Sequence, residues 1–125
     1  MELKLYRCAH CGNIAFKLVD KGVPLMCCGQ KMEELVPNTT DGALEKHVPQ
    51  ITRDGNHVTV QVGSVIHPML PEHYIQFIAL ETNMGLQIKH LVPDTAPEAD
   101  FVLLPGETVS AAYEYCNLHG LWSSN

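Results

Sequence analysis

Positive charge is scarce in this sequence. Lys and Arg number 8 against 14 Asp and Glu, for a formal net charge of -6, and no basic run occurs. A nucleic-acid surface is therefore not expected. Long hydrophobic runs are also missing: Ile75 to Leu80 and Phe101 to Leu104 are far too short to cross a bilayer. The opening Met1-Glu2-Leu3-Lys4-Leu5-Tyr6-Arg7 lacks the apolar centre and small-residue cleavage site of an export signal. A cytoplasmic protein with no membrane partner is the expectation. In a reducing compartment the 5 cysteines point to metal binding or catalysis before disulfides. Aromatics are scarce at 6%, with a single Trp.

What is present reads as a β-rich globular chain. Apolar residues make up 46%, and 9 Gly and 8 Pro are scattered along the length, which favours many turns and short strands. Residues 1–36 hold four of the cysteines and are too few to be stable on apolar burial alone, so a metal staple is expected. There Leu3 and Leu5, then Ile14, Phe16 and Leu18, alternate with other residues, as two short strands would. Residues 37–43, opening Pro37-Asn38-Thr39-Thr40-Asp41-Gly42, read as a linker. Residues 44–125 read as a second domain. In it, Ile51 to Arg53 and Val58 to Val62 flank the turn Asp54-Gly55-Asn56, and Tyr74 to Thr82 and Leu86 to Leu91 flank Asn83-Met84-Gly85. Phe101 to Leu104 and Thr108 to Cys116 are further strands. The spacing favours an antiparallel, immunoglobulin-like sandwich.

Cys8-Ala9-His10-Cys11-Gly12 and Cys27-Cys28-Gly29 supply four thiolates. In a Cys-x2-Cys loop both sulfurs can turn toward one ion while backbone N–H groups point at them. Four thiolates in a tetrahedron suit zinc or a single iron equally. The adjacent Cys27 and Cys28 must splay to reach two corners of one tetrahedron, so some angular distortion is expected. His10 is expected to face solvent, because the cysteines already complete the shell.

The histidines give a sharper signal. His67-Pro68-Met69-Leu70-Pro71-Glu72-His73 sets two imidazoles around a proline-stiffened loop, Cys116-Asn117-Leu118-His119 ends a strand with a thiolate and an imidazole, and Glu45-Lys46-His47 adds a further histidine. If these loops converge, the shell is four imidazoles and one thiolate. Five protein ligands exceed the four of ordinary zinc sites and suit a redox metal with one open position, iron above all. A thiolate pushes electron density toward such a metal. His57 and His90 carry no partner motif and read as structural or solvent-facing, and Trp122, Tyr113 and Tyr115 read as packing residues.

Together these motifs resemble the desulfoferrodoxin family of two-iron superoxide reductases. The four-cysteine arrangement resembles its desulforedoxin-like domain. Glu45-Lys46-His47-x-Pro49, His67-Pro68-x4-His73 with Tyr74-Ile75, and Cys116-Asn117-x-His119-Gly120 resemble its reductase centre. The resemblance implies one iron on Cys8, Cys11, Cys27 and Cys28. It implies a second on His47, His67, His73 and His119, with Cys116 axial. Superoxide would be the substrate, reduced to hydrogen peroxide with an electron from a rubredoxin-like carrier or other reductase, and the protein would commonly be a homodimer. Lys46 and Glu45 are the catalytic candidates. Lys46 would steer the anion, and Glu45 resembles the carboxylate that fills the sixth position in the ferric state. The competing readings are a non-enzymatic electron carrier and a zinc-binding structural module.

Overall fold

The computed structural model describes residues 3–125. The chain divides into two compact units, Met1–Val36 and Pro37–Asn125.

The first unit is built from very short strands: β1 (Tyr6–Arg7), β2 (Ile14–Ala15), β3 (Met26–Cys27), β4 (Gln30–Lys31) and β5 (Glu33–Glu34). They form an antiparallel sheet in the order β2-β1-β5 and a separate β3-β4 hairpin. The expected strands around the first cysteine pair exist but are shifted. Leu3 and Leu5 precede β1, and Leu18 lies beyond β2 at 87% exposure, because its alternation has no neighbouring strand to pack on. Among the described residues of this unit only Leu3, Leu5, Cys8 and Met32 are buried. Burying a large apolar side chain is worth about 1.5–3 kcal/mol, whereas ordering each residue costs about 1–2 kcal/mol in backbone entropy. So small a set cannot hold the unit together without a cross-link.

The second unit has one short helix, α1 (Leu44–His47), and seven strands: β6 (Pro49–Asp54), β7 (His57–Val62), β8 (Ile75–Thr82), β9 (Gly85–His90), β10 (Glu98–Val102), β11 (Val109–Cys116) and β12 (Gly120–Ser123). They form two antiparallel sheets, β10-β7-β6 and β12-β11-β8-β9. Val58, Val60 and Val62 alternate inward from β7 and are fully buried against Ile75, Ile78, Leu80, Phe101 and Ala112. The fold is all-β: a small cysteine-rich unit and an immunoglobulin-like sandwich. Pro49 begins β6, an edge strand, where a missing N–H costs nothing. Both predicted hairpins form, Asp54 pairing with His57 and Thr82 with Gly85. The strand expected at Phe101 to Leu104 lies earlier, at Glu98–Val102, and just past its end the Leu103 N–H still donates in register to the Asn56 carbonyl. β12 and α1 were not expected at all.

Residues 37–43 run along the second unit. Asn38 exchanges hydrogen bonds with Ser123, its amide N–H donates to the Leu121 carbonyl, and the Thr40 hydroxyl donates to the His119 carbonyl. This stretch is therefore tethered along its length.

Among the buried acids of the described residues, Glu114 is the one with neither oxygen paired. Glu114 faces inward from β11, in register with Ile78 and Trp122; it is fully buried, and neither carboxylate oxygen has a hydrogen-bond partner. Burial pushes its carboxyl well above the ordinary 4.5. The folded chain therefore keeps a proton that the unfolded chain loses as pH rises past 4.5, and stability declines with pH over that window. Glu114→Met is expected to remove this decline. The variant's stability advantage over the parent, read from urea unfolding at matched metal content, should grow by up to about 1.4 kcal/mol per pH unit from about pH 5 upward.

Candidate metal centres

The first cluster is Cys8, Cys11, Cys27 and Cys28, whose sulfurs all lie within 4.8 Å of one another. Cys8 and Cys11 sit in the turn between β1 and β2. The Cys11 N–H donates to Cys8 Sγ at 3.5 Å, and the Asn13 N–H to Cys11 Sγ at 3.4 Å. The Cys11 N–H is the main reason the Cys8 thiol is drawn down to about 6, toward the thiolate a metal needs. A hydrogen bond with the Cys11 sulfur, followed by burial, favours the protonated thiol and pushes Cys28 up to about 12. A shared cation would displace that proton on binding.

The adjacent cysteines are reconciled by the backbone. Cys27 ends β3 and pairs with Gln30, so Cys28-Gly29 form the two-residue turn of the hairpin, with φ of 53° and 72°. Positive φ at both central positions is the type I′ pattern that matches strand twist. It swings Cys28 Sγ back to 4.0 Å from Cys27 Sγ, while Cys11 and Cys27 approach to 3.6 Å. Sulfurs about 2.3 Å from a tetrahedral ion sit about 3.8 Å apart, so the set fits one ion. His10 is exposed and takes no part.

The second cluster gathers His47, His67, His73, Cys116 and His119, again with all ligand atoms within 4.8 Å. Each comes from a different local device. α1 presents His47, whose Nδ1–H donates to the Ala43 carbonyl at 2.8 Å and so turns Nε2 inward. His67 does the same through the Pro68 carbonyl at 2.6 Å. His73 closes a tight turn by paired hydrogen bonds with Leu70, and its Nε2 is buried with no hydrogen-bond partner. Cys116 follows an irregularity in the β8–β11 register, where Gln76 is skipped between two pairs. Such a bulge re-aims the side chain at the strand's end. His119 lies in the loop joining β11 to β12.

The four rings form a closed cycle. Centroids are 4.8 Å apart for His47–His67, 4.7 Å for His67–His73, 5.1 Å for His73–His119 and 4.8 Å for His119–His47, every pair edge-to-face. Cys116 Sγ lies 3.5 Å from His67 Nε2 and 3.9 Å from His119 Nδ1. His47 Nε2 and His119 Nδ1 stand 3.0 Å apart. Two nitrogens at right angles on one metal, each about 2.1 Å from it, would also sit about 3.0 Å apart. Desolvation lowers His47, His67 and His73, and His67 falls to about 4, so these imidazoles are neutral and ready to bind near neutral pH. Burial instead raises the Cys116 thiol, which leaves the metal to draw out its proton, helped by the N–H groups of Leu118 and His119.

Three supporting residues escaped the sequence reading. Asn117 ties two ligand loops together: its Oδ1 accepts the Tyr74 N–H at 2.9 Å, and its Nδ2 donates to the Glu72 carbonyl at 3.0 Å. Trp122, expected only to pack, stacks on His47 at 5.0 Å and donates Nε1–H to the His119 carbonyl at 3.0 Å. Gly42 is hemmed in on one side by the site. A Cβ there would lie 3.0 Å from Trp122 Cζ2, 3.2 Å from His47 Cε1 and 3.3 Å from His119 Cβ. Their signals are non-local, so a sequence pattern does not expose them. Glu45 and Lys46 are both exposed on α1, and the Lys46 charge reaches His73, adding to the forces that hold it neutral. His57 pairs with Asp100 at 3.0 Å on the exposed sheet face, and His90 is exposed; neither joins a cluster.

The family pattern described as Desulfoferrodoxin matches residues 39–125, and that of its N-terminal domain matches residues 1–35. A desulfoferrodoxin of Syntrophotalea carbinolica is 47% identical over 98% of this chain and 96% of its own length. The crystal structure of the superoxide reductase from Treponema pallidum superimposes over all of both chains with a TM-score of 0.85 at 39% identity. The one-iron superoxide reductase of Giardia intestinalis covers 63% of this chain and 94% of its own, with a TM-score of 0.55 at 37% identity.

The depressed His67 value has a consequence for the metal-free chain. Unfolded His67 takes up a proton as pH falls below 6.5, whereas folded His67 resists protonation until about 4, so stability is lost across that window. Replacing His67 with Phe is expected to flatten the unfolding free energy there, as measured by denaturant titration of metal-free protein. An unchanged slope would show that other groups set it.

Proposed function

The chain belongs to the desulfoferrodoxin family, and from that premise we propose that it is a superoxide reductase. The reaction adds one electron and two protons to superoxide to give hydrogen peroxide. The observation that carries the reading is the cycle of four imidazoles with one thiolate, a five-ligand set that leaves a six-coordinate metal one place for an anion. Residues 1–36 are taken as the four-thiolate iron domain, 37–43 as the connection and 44–125 as the reductase domain. The family carries two irons, and both ligand sets fit one ion each. Iron on His47, His67, His73, His119 and Cys116 would supply the electron and the electrophilic position.

The chain's own residues then have separable tasks. The Ala43 and Pro68 carbonyls fix the tautomers of His47 and His67. Buried Cys116 gives the centre one negative charge, so with a divalent ion about one positive charge remains to attract an anion. Exposed Lys46 draws superoxide in and stabilises developing negative charge, despite the acidic balance of the whole chain. Glu45, beside it on the same turn, is the carboxylate positioned in sequence to take the departing product's place.

A rubredoxin-like carrier or another reductase is the proposed electron donor, and a second copy of the chain the proposed partner. Leu18, Val19, Val23 and Met26 in the first unit are between 64% and 87% exposed, a concentration of apolar surface that self-association would cover. Sedimentation of the loaded protein as a monomer at micromolar concentration would remove that partner. No helix among the described residues is long and apolar enough to cross a membrane. Cysteines gathered as metal ligands suit the proposed cytoplasmic location.

The test supplies superoxide to the reduced, iron-loaded protein and follows peroxide and oxygen together. One peroxide per superoxide with no oxygen is expected; oxygen released in the two-to-one ratio of dismutation would overturn the reading. Cys116→Ser should lose most of the activity, on the order of a hundredfold, with the visible spectrum of the four-thiolate centre unchanged.

A further inference from the structure

α1 is too short to hold its own shape. At four residues it is a single turn, closed by the Val48 N–H on the Leu44 carbonyl, and an isolated turn does not recover its nucleation cost. Yet it carries Glu45, Lys46 and the ligand His47 in succession. His47 is anchored by the Ala43 carbonyl and by stacking on Trp122, whereas Glu45 and Lys46 point their side chains into solvent.

What grips this stretch of backbone is the turn after β7. The Val65 N–H donates to the Glu45 carbonyl at 2.8 Å, and the Ser64 hydroxyl donates to the same oxygen at 3.3 Å. The Gly63 N–H reaches the Val48 carbonyl at 3.3 Å. The turn thus holds the segment on both sides of Lys46. The approach is too close for any side chain at Gly63. A Cβ there would lie 2.7 Å from the Glu45 carbonyl oxygen and 2.8 Å from the Lys46 carbonyl carbon, and closer still to the Val65 oxygen. Gly63 also has φ of +82°, a conformation other residues rarely adopt.

We propose that Gly63-Ser64-Val65 is the positioning element for Lys46: it clamps the α1 backbone that carries Lys46 next to the ligand His47. Gly63 is then a positioning residue of the reaction although it touches neither metal nor substrate. The same turn runs on to His67, so one short segment leads to one ligand and holds the lysine next to another. This inference rests on the superoxide reductase reading for its benefit, but its geometry can be tested without it.

The experiment uses iron-loaded protein with Gly63→Ala and Ser64→Ala, each alone and combined with Lys46→Ala. Three quantities are followed: amide hydrogen exchange at Val65 and Val48, azide affinity of the oxidised protein by absorbance, and the rate with superoxide. Gly63→Ala should speed exchange at both amides and weaken azide binding and superoxide reaction about tenfold, with no further loss once Lys46 is Ala. Ser64 is exposed and loses only one hydrogen bond, so Ser64→Ala should fold normally and show the same coupling at about two- to threefold. It decides the matter if Gly63→Ala fails to fold or to hold iron. Equal losses with and without Lys46, or unchanged exchange at Val65, would overturn the proposal. If the parent protein fails to reduce superoxide, the functional reading falls, while the exchange and azide couplings still judge the clamp.

Discussion

Two imidazole nitrogens, His47 Nε2 and His119 Nδ1, face each other at 3.0 Å. The Nδ1 of His47 is already committed to the Ala43 carbonyl, so its inward nitrogen offers a lone pair, and His119 Nδ1 can offer another. Such lone pairs repel unless a proton or a cation lies between them. Two more rings and the Cys116 sulfur converge on the same space, and one proton cannot serve five donors. The requirement for a cation at this point organises the rest of the second unit. The bulge before Cys116, the paired hydrogen bonds between Leu70 and His73, the Asn117 bridge and the bare edge at Gly42 all bring the donors there and keep them from spreading.

The surrounding sandwich accepts costs to do so. Glu114 is buried without a partner two residues before Cys116, although an apolar residue would pack better there. Cys28 takes a positive φ that favours glycine, in the turn that brings its sulfur to 4.0 Å from that of Cys27.

Much of this was legible in the order of residues. Val58, Val60 and Val62 announced their strand by simple alternation, and Asp54-Gly55-Asn56 its turn. The ligands were legible because Cys and His are uncommon and fell at short spacings within a few loops. α1 was not, because four residues between an extended stretch and Pro49 carry no period. β12 was not, because Gly120-Leu121-Trp122-Ser123 is too short to alternate visibly. The roles of Gly42, Gly63, Asn117 and Trp122 depend on other segments of the chain, Gly63 on α1, Asn117 on Glu72 and Tyr74, and Gly42 and Trp122 on each other and on His47, and no local pattern encodes those.

The spacing of the two ligand sets along the chain bears on how the protein is made. The four thiolates are all present once residue 28 has emerged from the ribosome, and their small unit needs an ion to be stable. The five-ligand set spans residues 47 to 119, so it cannot close until nearly the whole sandwich has been synthesised and paired. N-terminal segments fold first during synthesis, and long-range sheet pairing is slow. The two centres therefore meet the cell's metal supply at different moments. The first meets it as a small nascent unit rich in thiols, and the second as a cage that the paired sandwich has already assembled.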